Sequence, residues 1–375
     1  MLNMVLQVIK VYYTYGRIYN QIQKKDKKMS SGTLIRHSKS TLKAIHFLHL
    51  LCVLSCCLLC CTIFSGCGQP TVKESATGFY FNTIISVTVY ETHSKEDTLN
   101  ASALAQNCMD LAASYEQLFS RTIEGSDIWN INHSNGSPVT VSDDSVALLS
   151  TALFYSELSE GLVDPTIGSL SALWNFSDKA KTVPSDSDIK EALSHVDFHS
   201  IVIAGNQVTL TDPDADIDLG FIAKGYIADQ MKDYLISEGV TSAIINLGGN
   251  VLTIGNKPDG SEYTIGVQKP FAETGTALLT LSVSDKSVVS SGNYERYFYA
   301  NDTLYHHILS TEDGYPANSD LSQVTIISDS SVDGDALSTL CFILGYEDGH
   351  ALIESLPDIE AVFVTANGDI YKTYA

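Results

Sequence analysis

Two oxygen-bearing side chains four residues apart are the first feature of this chain that could do chemistry. Asp335 and Thr339 lead into the apolar residues 340–344. On a helix, residues four apart share a face, so the carboxylate and the hydroxyl would point to one place. Such oxygens, completed by backbone, water or phosphate oxygens, suit Mg²⁺. The same spacing is also ordinary first-turn helix chemistry, so a metal site needs support from elsewhere in the chain.

Five further segments place polar residues and glycines at the ends of apolar runs. They are residues 163–168 (Val-Asp-Pro-Thr-Ile-Gly), 217–226 (Ile-Asp-Leu-Gly-Phe-Ile-Ala-Lys-Gly-Tyr), 246–250 (Asn-Leu-Gly-Gly-Asn), 290–296 (Ser-Ser-Gly-Asn-Tyr-Glu-Arg) and 305–309 (Tyr-His-His-Ile-Leu), the last followed by 313–316 (Asp-Gly-Tyr-Pro). Glycine at a strand end lets the backbone approach a ligand closely. Asp218 and Gly220 precede a predicted helix, whose free amides and positive dipole end could bind a phosphate, and Lys224 adds a charge there.

Each of these segments also has an ordinary structural interpretation. Asp218 could cap the helix, and Lys224 could be a surface lysine. Residues 246–250 are more typical of a tight turn than of a ligand loop, and Asp164 before a proline commonly starts a turn. Taken singly, therefore, none of these segments establishes a binding site.

Two pairs of neighbouring residues, 306–307 and 295–296, are interpreted differently. On a strand, His306 and His307 would point to opposite faces, so at most one of them can enter a shared pocket. Glu295 and Arg296 are interpreted as a surface ion pair without a functional role.

The predicted elements indicate an α+β fold. Apolar spacing predicts helices over residues 104–118, 145–160 and 221–237 and a helix containing Asp335. Short alternating segments predict strands, and they follow one another without intervening helices, which favours a mostly antiparallel sheet with flanking helices. The predicted strands cover residues 83–90, 202–204, 208–210, 243–246, 263–268, 278–283, 288–290, 294–299, 304–309, 324–327, 361–364 and 370–374. With no internal linker or repeat, we expect one compact unit with two lobes.

Charge is distributed unevenly and excludes one class of partner. The chain carries a formal net charge of −22, yet residues 1–66 contain nine lysines and arginines and one acidic residue. The remainder therefore holds 13 basic and 43 acidic residues. A body this acidic repels phosphate backbones, so nucleic-acid binding is excluded.

The amino terminus has the features of a targeting segment. A basic stretch ends at Lys43, and the nearly unbroken apolar residues 44–64 lead to Ser65, Gly66 and Cys67. This pattern resembles a bacterial lipobox, which implies cleavage before Cys67 and a lipid on its sulfur. An uncleaved membrane-spanning helix is the alternative, because 21 residues are long enough to span. We therefore predict a signal segment at 1–66, a tether at 67–78 and a single domain at 79–375.

Six of the eight cysteines lie in or beside this segment. The body retains Cys108 and Cys341, each in an apolar helical setting, which favours two buried free thiols over a disulfide.

As a set and in this order, the polar segments resemble those of the ApbE family, flavin transferases that move FMN from FAD onto a protein. The resemblance covers residues 79–373. It implies two interlocked lobes with the active site in their cleft, and Mg²⁺-dependent transfer of FMN to a threonine or serine hydroxyl of a target flavoprotein, with release of AMP. It also implies an acceptor that is exported or part of a membrane redox complex. Because family members are often lipoproteins, it agrees with the Cys67 signal and with a lipid-anchored place on the extracytoplasmic face of the cell membrane.

The resemblance also assigns roles to individual residues. It implies that the side chains of Asp335 and Thr339 and the backbone carbonyl of Phe221 bind Mg²⁺. His307 matches the histidine implicated in catalysis, where Asp335 also takes part. The positions that would contact FAD are Phe81, Thr122, Leu162, Val163, Asp164, Asp218, Lys224 and Leu309.

Two departures from the family pattern bear on the reaction. Many transferases have a tyrosine against the flavin nucleotide where this chain has Thr122, and their usual aspartate before Tyr294 is Asn293 here. Loss of the aromatic surface could loosen FAD or leave room for a second metal. An Mg²⁺-dependent FAD pyrophosphatase that releases FMN and AMP is therefore the alternative function, and a flavin-binding lipoprotein without catalysis is a third.

Overall fold

Antiparallel strands and seven helices make up the computed structural model, which describes residues 73–90, 100–176 and 182–374. The strands are β1 Lys73–Tyr80, β2 Thr83–Tyr90, β3 Val139–Thr140, β4 Ile201–Ala204, β5 Gln207–Leu210, β6 Ala243–Leu247, β7 Asn250–Ile254, β8 Tyr263–Gln268, β9 Ala277–Val283, β10 Ser287–Gly292, β11 Tyr297–Ala300, β12 Thr303–His306, β13 Leu321–Ser328, β14 Glu360–Thr365 and β15 Ile370–Lys372. The helices are α1 Ala101–Phe119, α2 Asp127–Asn132, α3 Asp143–Leu158, α4 Gly168–Trp174, α5 Asp186–Leu193, α6 Ala223–Ser237 and α7 Ser331–Ser355.

The main sheet has eight strands in the order β1-β2-β6-β7-β10-β13-β14-β15. Every neighbouring pair in it is antiparallel. Three smaller sheets have the orders β3-β5-β4, β8-β9 and β11-β12. The smaller sheets matter for function because β11 and β12 carry the histidine segment.

Hydrophobic alternation explains the outer strands of the main sheet, and helix burial explains its centre. In β2, Ile85, Val87 and Val89 are buried while the residues between them are not. All eight residues of β13 are buried, because α7 packs against this strand and β10. Burial on both faces removes the alternation that marks a half-exposed strand.

Helix α7 carries the candidate metal ligands over the sheet. Its amino-terminal cap is Ser330, whose hydroxyl accepts the Asp333 N–H. Leu337, Leu340 and Phe342 are buried, and Gly345 interrupts the helix with a φ of 79°. Since side chains four apart lie on one face, Asp335 and Thr339 are held together by the helix itself.

The predicted α+β class, with a mostly antiparallel sheet and flanking helices, is confirmed. The helices predicted at 104–118, 145–160 and 221–237 correspond to α1, α3 and α6. Residues 73–375 form one compact unit. Cys108 and Cys341 are buried free thiols, as expected.

The predicted tether at 67–78 is wrong over residues 73–78. These residues belong to β1, which pairs with β2 from Lys73 opposite Tyr90 to Tyr80 opposite Thr83. Short side chains such as Ser75 and Ala76 made the segment look like a polar linker, whereas the long pairing with β2 makes it a strand. The domain thus includes residues 73–78, which the prediction had left outside it.

The signal segment, the lipobox and Cys67 lie outside the described residues, and their roles stay predictions. Within the described part of the chain, no helix combines the length and the apolar character needed to cross a bilayer.

Candidate functional site

The carboxylate of Asp335 lies where the amino-terminal ends of α6 and α7 meet. Its side chain is buried, and Oδ1 accepts a hydrogen bond from Lys224 Nζ at 3.2 Å. Oδ2 accepts the backbone N–H of Gly225 at 2.9 Å. Burial raises the pKa of Asp335, and the Lys224 charge and the Gly225 amide oppose that rise. A buried carboxylate therefore has one cation and one helix-end amide as its partners.

Thr339 supplies a hydroxyl one turn further along α7. Its Oγ1 lies 3.4 Å from the Asp335 carbonyl oxygen and 3.2 Å from Ser291 Oγ at the end of β10. Ser291 also bonds to Ser338 Oγ at 2.8 Å. Strand β10 thus provides the hydroxyl of Ser291 beside Thr339, one of the two predicted metal ligands.

The backbone carbonyl of Phe221 is available at the same helix end. In a regular helix, the amide of Gly225 would bond to this carbonyl, four residues earlier. That amide instead bonds to Asp335, and Ile222 between them has a non-helical φ of −145° with a ψ of −23°. Helix α6 also lacks a side-chain cap at its start. The local fold therefore leaves an oxygen at Phe221 for a ligand.

Close packing of α6 on α7 fixes this arrangement. A Cβ atom added at Gly225 would lie 2.6 Å from Cα of Val332, which is too close for any real side chain. The glycine after Lys224 in the sequence thus serves to bring the two helix ends together.

His307 lies close enough to Arg296 and Lys224 for their charges to act on its ring. Burial lowers the pKa of His307 to about 3, with Arg296, His306 and Lys224 lowering it further. Its backbone N–H bonds to the Arg296 carbonyl at 3.1 Å. His307 Nδ1 is buried with no hydrogen-bond partner among the described residues. His307 is therefore neutral at pH 7, and it becomes an effective base only when its pKa rises.

The neighbouring histidine faces the other way. His306 is buried and contacts Phe342 edge-on, with ring centroids 5.5 Å apart. Burial lowers its pKa to about 4. The prediction that at most one of the two histidines enters a shared pocket agrees with this placement.

Glu295 lies at the rim of the site, where the residue as a whole is exposed and its carboxyl group is enclosed. Burial raises its pKa, the Lys224 and Arg296 charges oppose the rise, and Asp335 adds to it. Part of the Glu295 side chain remains exposed along a cavity of about 690 Å³, which Arg296 also lines. Glu295 and Arg296 are exposed, in agreement with the surface interpretation, but the Glu295 charge also interacts with Lys224 and Asp335, so the pair borders the candidate site.

A second set of charges holds the chain just before α6. Arg121 forms ion pairs with Asp216 and, at 3.4 Å, with Asp218. Asp218 Oδ1 accepts the Gly220 N–H at 2.9 Å. Thr122, next to Arg121, is exposed and bonds only locally to Ser120. Asp218 therefore shapes the turn before α6 and does not cap the helix, whose start has no side-chain cap.

The turn at Asp164 is built around its buried carboxylate. Oδ1 accepts from Thr166 N at 2.7 Å and from Thr166 Oγ1 at 2.6 Å, and Oδ2 accepts from Phe198 N at 2.9 Å. Pro165 O in turn accepts the Asp218 N–H at 2.7 Å. Asp164 thus holds the loop in shape and joins it to the Asp218 segment.

The remaining predicted positions lie in turns and in an apolar cluster of the fold. Phe81 lies in the tight turn between β1 and β2, with a φ of 52° and its N–H bonded to Glu116 at 2.6 Å. Leu309 is buried against Phe298, which lines the cavity. Leu162 and the buried Val163 precede the Asp164 turn.

A different group of possible metal ligands lies away from Asp335. Single atoms of His195, Asp212 and Asp214 fall within 4.8 Å of one another. His195 Nδ1 lies 2.8 Å from Asp212, and this hydrogen bond raises the pKa of His195. An ion pair accounts for these contacts.

Comparison with known proteins identifies the fold family. The family model described as the ApbE family matches residues 81–363. The chain belongs to the ApbE family. A protein of Klebsiella pneumoniae named FAD:protein FMN transferase is 41% identical over 72% of this chain and 84% of its own length. A Treponema pallidum protein of the same name is 35% identical over 82% and 89%.

Solved structures agree with this membership. The ApbE protein of Thermotoga maritima superposes with a TM-score of 0.73 at 29% identity, covering 80% of this chain and 97% of its own. The resemblance drawn from the polar segments is therefore confirmed, as is the fold that it implied.

The ApbE-family segments have distinct places in this chain. Residues 246–250 form the tight turn expected of them, with Gly248 and Gly249 at φ of 62° and 101°. Asn250 then reaches α7, accepting a hydrogen bond from Ser331 Oγ at 2.7 Å. This segment supports the helix that carries Asp335 and does not itself contact the charges of the site.

Sequence reasoning missed Arg121 and Asp216 as well as Glu295 and Arg296. Arg121 follows directly after a helix end and Asp216 stands two residues before Asp218, so neither lies within a distinctive pattern. Glu295 and Arg296 did have a signal, since they follow Gly292 at the end of a strand, like the other segments.

Proposed function

We propose that this chain transfers FMN from FAD to a threonine or serine hydroxyl of a target flavoprotein and releases AMP. The observation that carries the proposal is the meeting of a buried carboxylate, a hydroxyl and an available carbonyl with Lys224 at one helix end. The two relatives named FAD:protein FMN transferase support the same reaction.

The residues present fit a magnesium ion. Asp335 and Thr339 would hold it with their side chains and Phe221 with its carbonyl, a set of hard oxygen donors. Burial raises the pKa of Asp335, so its charged form needs positive charge nearby to be stable. Lys224 supplies one positive charge, and a metal ion would supply more. When bound, Mg²⁺ would withdraw charge from the diphosphate and stabilise the departing phosphate. We propose Mg²⁺ on this donor chemistry.

Cationic groups around the site favour a dinucleotide anion. Lys224 lies at the start of α6, where the helix dipole is positive, and Arg296 is close enough to lower the pKa of His307. Free amides and cations at a helix start bind phosphates readily. These charges would concentrate FAD at one place on a strongly acidic protein.

The reaction balances with His307 as the base. The acceptor hydroxyl oxygen bonds to the phosphorus of the FMN half, and the bond from that phosphorus to the bridging oxygen breaks. AMP leaves with the bridging oxygen and its electron pair, and the hydroxyl proton passes to His307. His307 is neutral in the free protein, and the incoming phosphate charge would raise its pKa and so make it a better base.

Hydrolysis is the second candidate function. Thr122 is small and exposed where many family members have an aromatic residue, so water has more room beside the nucleotide. Water attacking the same phosphorus would give free FMN and AMP.

We also propose a lipid on Cys67 that fixes the domain at the extracytoplasmic face of the membrane. The basic residues before Lys43, the apolar residues 44–64 and the Ser-Gly-Cys ending support it. The acceptor would then be an exported flavoprotein or an extracytoplasmic subunit of a membrane redox complex.

The test uses residues 68–375 with FAD, Mg²⁺ and a purified, flavin-free extracytoplasmic flavoprotein subunit. In-gel flavin fluorescence and an added FMN mass on the acceptor support transfer. Free AMP and FMN without acceptor labelling support hydrolysis. Bound FAD with neither product would contradict both.

A further inference from the structure

Beside the candidate site, one edge of strand β11 has no strand partner among the described residues. Among the described residues it pairs only with β12, in a two-stranded ribbon. The His307 N–H to Arg296 carbonyl bond fixes which opposite residues exchange hydrogen bonds. In an antiparallel pair the bonded and non-bonded positions alternate. Phe298 therefore bonds across the ribbon to Tyr305, and the N–H and C=O groups of Tyr297 and Tyr299 point outward.

A cavity follows this edge. The cavity of about 690 Å³ is lined by five consecutive residues, 295–299, with Asn82 and Phe176 as its other lining residues. A hollow along the outer edge of β11 and the two residues before it has the shape that an extended peptide needs. A compact ligand would instead contact residues scattered over several elements.

The outer edge of β11 runs toward His307, the proposed base. Tyr297 lies opposite His306, one position from His307. At the same end of the cavity, Glu295 interacts electrostatically with Lys224, Arg296 and Asp335. An extended chain laid along β11 would therefore run from the exposed end at Tyr299 toward the place where the hydroxyl must react.

Aromatic side chains form an exposed face at the far end. Tyr299 is 62% exposed and Phe271 is 46% exposed. The Tyr297 ring contacts both, with centroids 5.9 Å and 5.3 Å away. Exposed aromatic groups on an otherwise acidic surface are typical of protein-binding positions.

We propose that the acceptor's extended hydroxyl-bearing segment pairs with β11 as a third strand of the ribbon. The inference rests on the proposed transfer reaction, because only a transferase needs a protein segment at this point. Hydrogen bonds to the Tyr297 and Tyr299 backbone supply affinity independent of sequence, and the aromatic face selects side chains. The pairing also displaces water from the cavity, which favours transfer over hydrolysis.

Proline substitution tests the pairing with a matched control. Tyr299→Pro removes an outward N–H without breaking a ribbon bond, and proline is tolerated at strand edges. Leu304→Pro makes the same change at the residue opposite Tyr299, on the outer edge of β12. For the flavin-free extracytoplasmic subunit, we expect Tyr299→Pro to raise the acceptor KM roughly 3- to 10-fold, the worth of one backbone hydrogen bond. Leu304→Pro should leave it within about twofold of the unaltered protein.

Amide hydrogen exchange on the unaltered protein provides a second measurement that needs no variant. Adding the same subunit should slow exchange at Tyr297 and Tyr299 and leave Leu304 unchanged. Equal KM values for the two proline variants, or unslowed exchange at Tyr297 and Tyr299 while the subunit is being labelled, would overturn the pairing alone. An unaltered protein that releases FMN and AMP but never labels the subunit would overturn the transfer reaction, and the pairing with it.

Discussion

Asp335 is the residue on which the candidate site is centred. It accepts a backbone amide from the start of α6, pairs with Lys224 at 3.2 Å, and lies one turn before Thr339. Removing either partner of a buried ion pair leaves an uncompensated charge, which is more destabilising than removing both. Substitutions here therefore need to separate loss of chemistry from loss of folding.

Asp335→Asn is the variant that separates them. Asparagine keeps the shape and can still accept the Gly225 N–H, but it loses the negative charge that a metal requires. We expect Mg²⁺-dependent release of AMP from FAD to fall by at least about 100-fold. Loss of a residue that only supports a metal ligand already costs up to about 100-fold, and Asp335 would bind the metal directly. Calorimetric titration with Mg²⁺ should show lost binding with a retained unfolding transition.

The matched control is Asp329→Asn. Asp329 is exposed and pairs with Lys286 at the surface, only six positions away in the sequence. Its substitution should leave both metal binding and AMP release unchanged. Full activity in Asp335→Asn would contradict the metal assignment.

The helix ends determine where these side chains meet, and the sequence predicted them unevenly. The spacing of apolar residues correctly predicted α6 and β8, because each of these elements buries one face. It missed β7, whose five residues are all buried, so no alternation remains to be seen. The strand predicted at 294–299 begins only at Tyr297, since residues 294–296 form the turn that carries Glu295 and Arg296 into the site.

Gly225→Ala tests the close approach of α6 and α7. The added methyl group would overlap the backbone of α7 near Val332, so the helices must separate. We expect the free energy of unfolding to fall by about 1–3 kcal/mol, the usual cost of overpacking. Urea denaturation measures it. Gly266→Ala is the control, because its new Cβ would meet only Ala277 Cβ at 3.4 Å; an equal loss in both variants would refute the packing argument.

Asp229 makes the start of α7 sensitive to pH. Its carboxylate accepts the N–H groups of Ser331 and Val332, each at 2.9 Å. Burial raises the pKa of Asp229 to about 6, so the folded protein holds this proton more tightly than the unfolded chain. The contribution to stability is therefore fully present below about pH 4 and is lost as the pH rises to about 6.

The measurement compares urea denaturation of the unaltered protein and Asp229→Asn at several pH values. The stability of the unaltered protein relative to the variant should decrease between about pH 4 and about pH 6 and then level off. A relative stability that increases over this interval would show that the carboxylate is stabilised in its charged form instead.

Across the whole molecule, residue patterns predicted the reaction better than they predicted the layout of the site. The four-residue spacing of Asp335 and Thr339 follows from helix geometry alone, so the sequence could predict their shared face. The contact between Asp335 and Lys224 joins residues 111 positions apart and depends on how two helices pack, which no local pattern encodes. Asp164 was predicted to contact FAD, but in the structure its carboxylate accepts hydrogen bonds from its own loop and from the Phe198 N–H. The local pattern showed the turn and not these partners.

The most direct measurement is FMN labelling of a flavin-free extracytoplasmic flavoprotein subunit by residues 68–375, followed by mass spectrometry and AMP release. The account predicts one FMN on one hydroxyl, one AMP for each FMN transferred, and loss of both when Mg²⁺ is removed or Asp335 is replaced by asparagine. Labelling that persists without a divalent metal, or AMP release that never labels the acceptor, would contradict it.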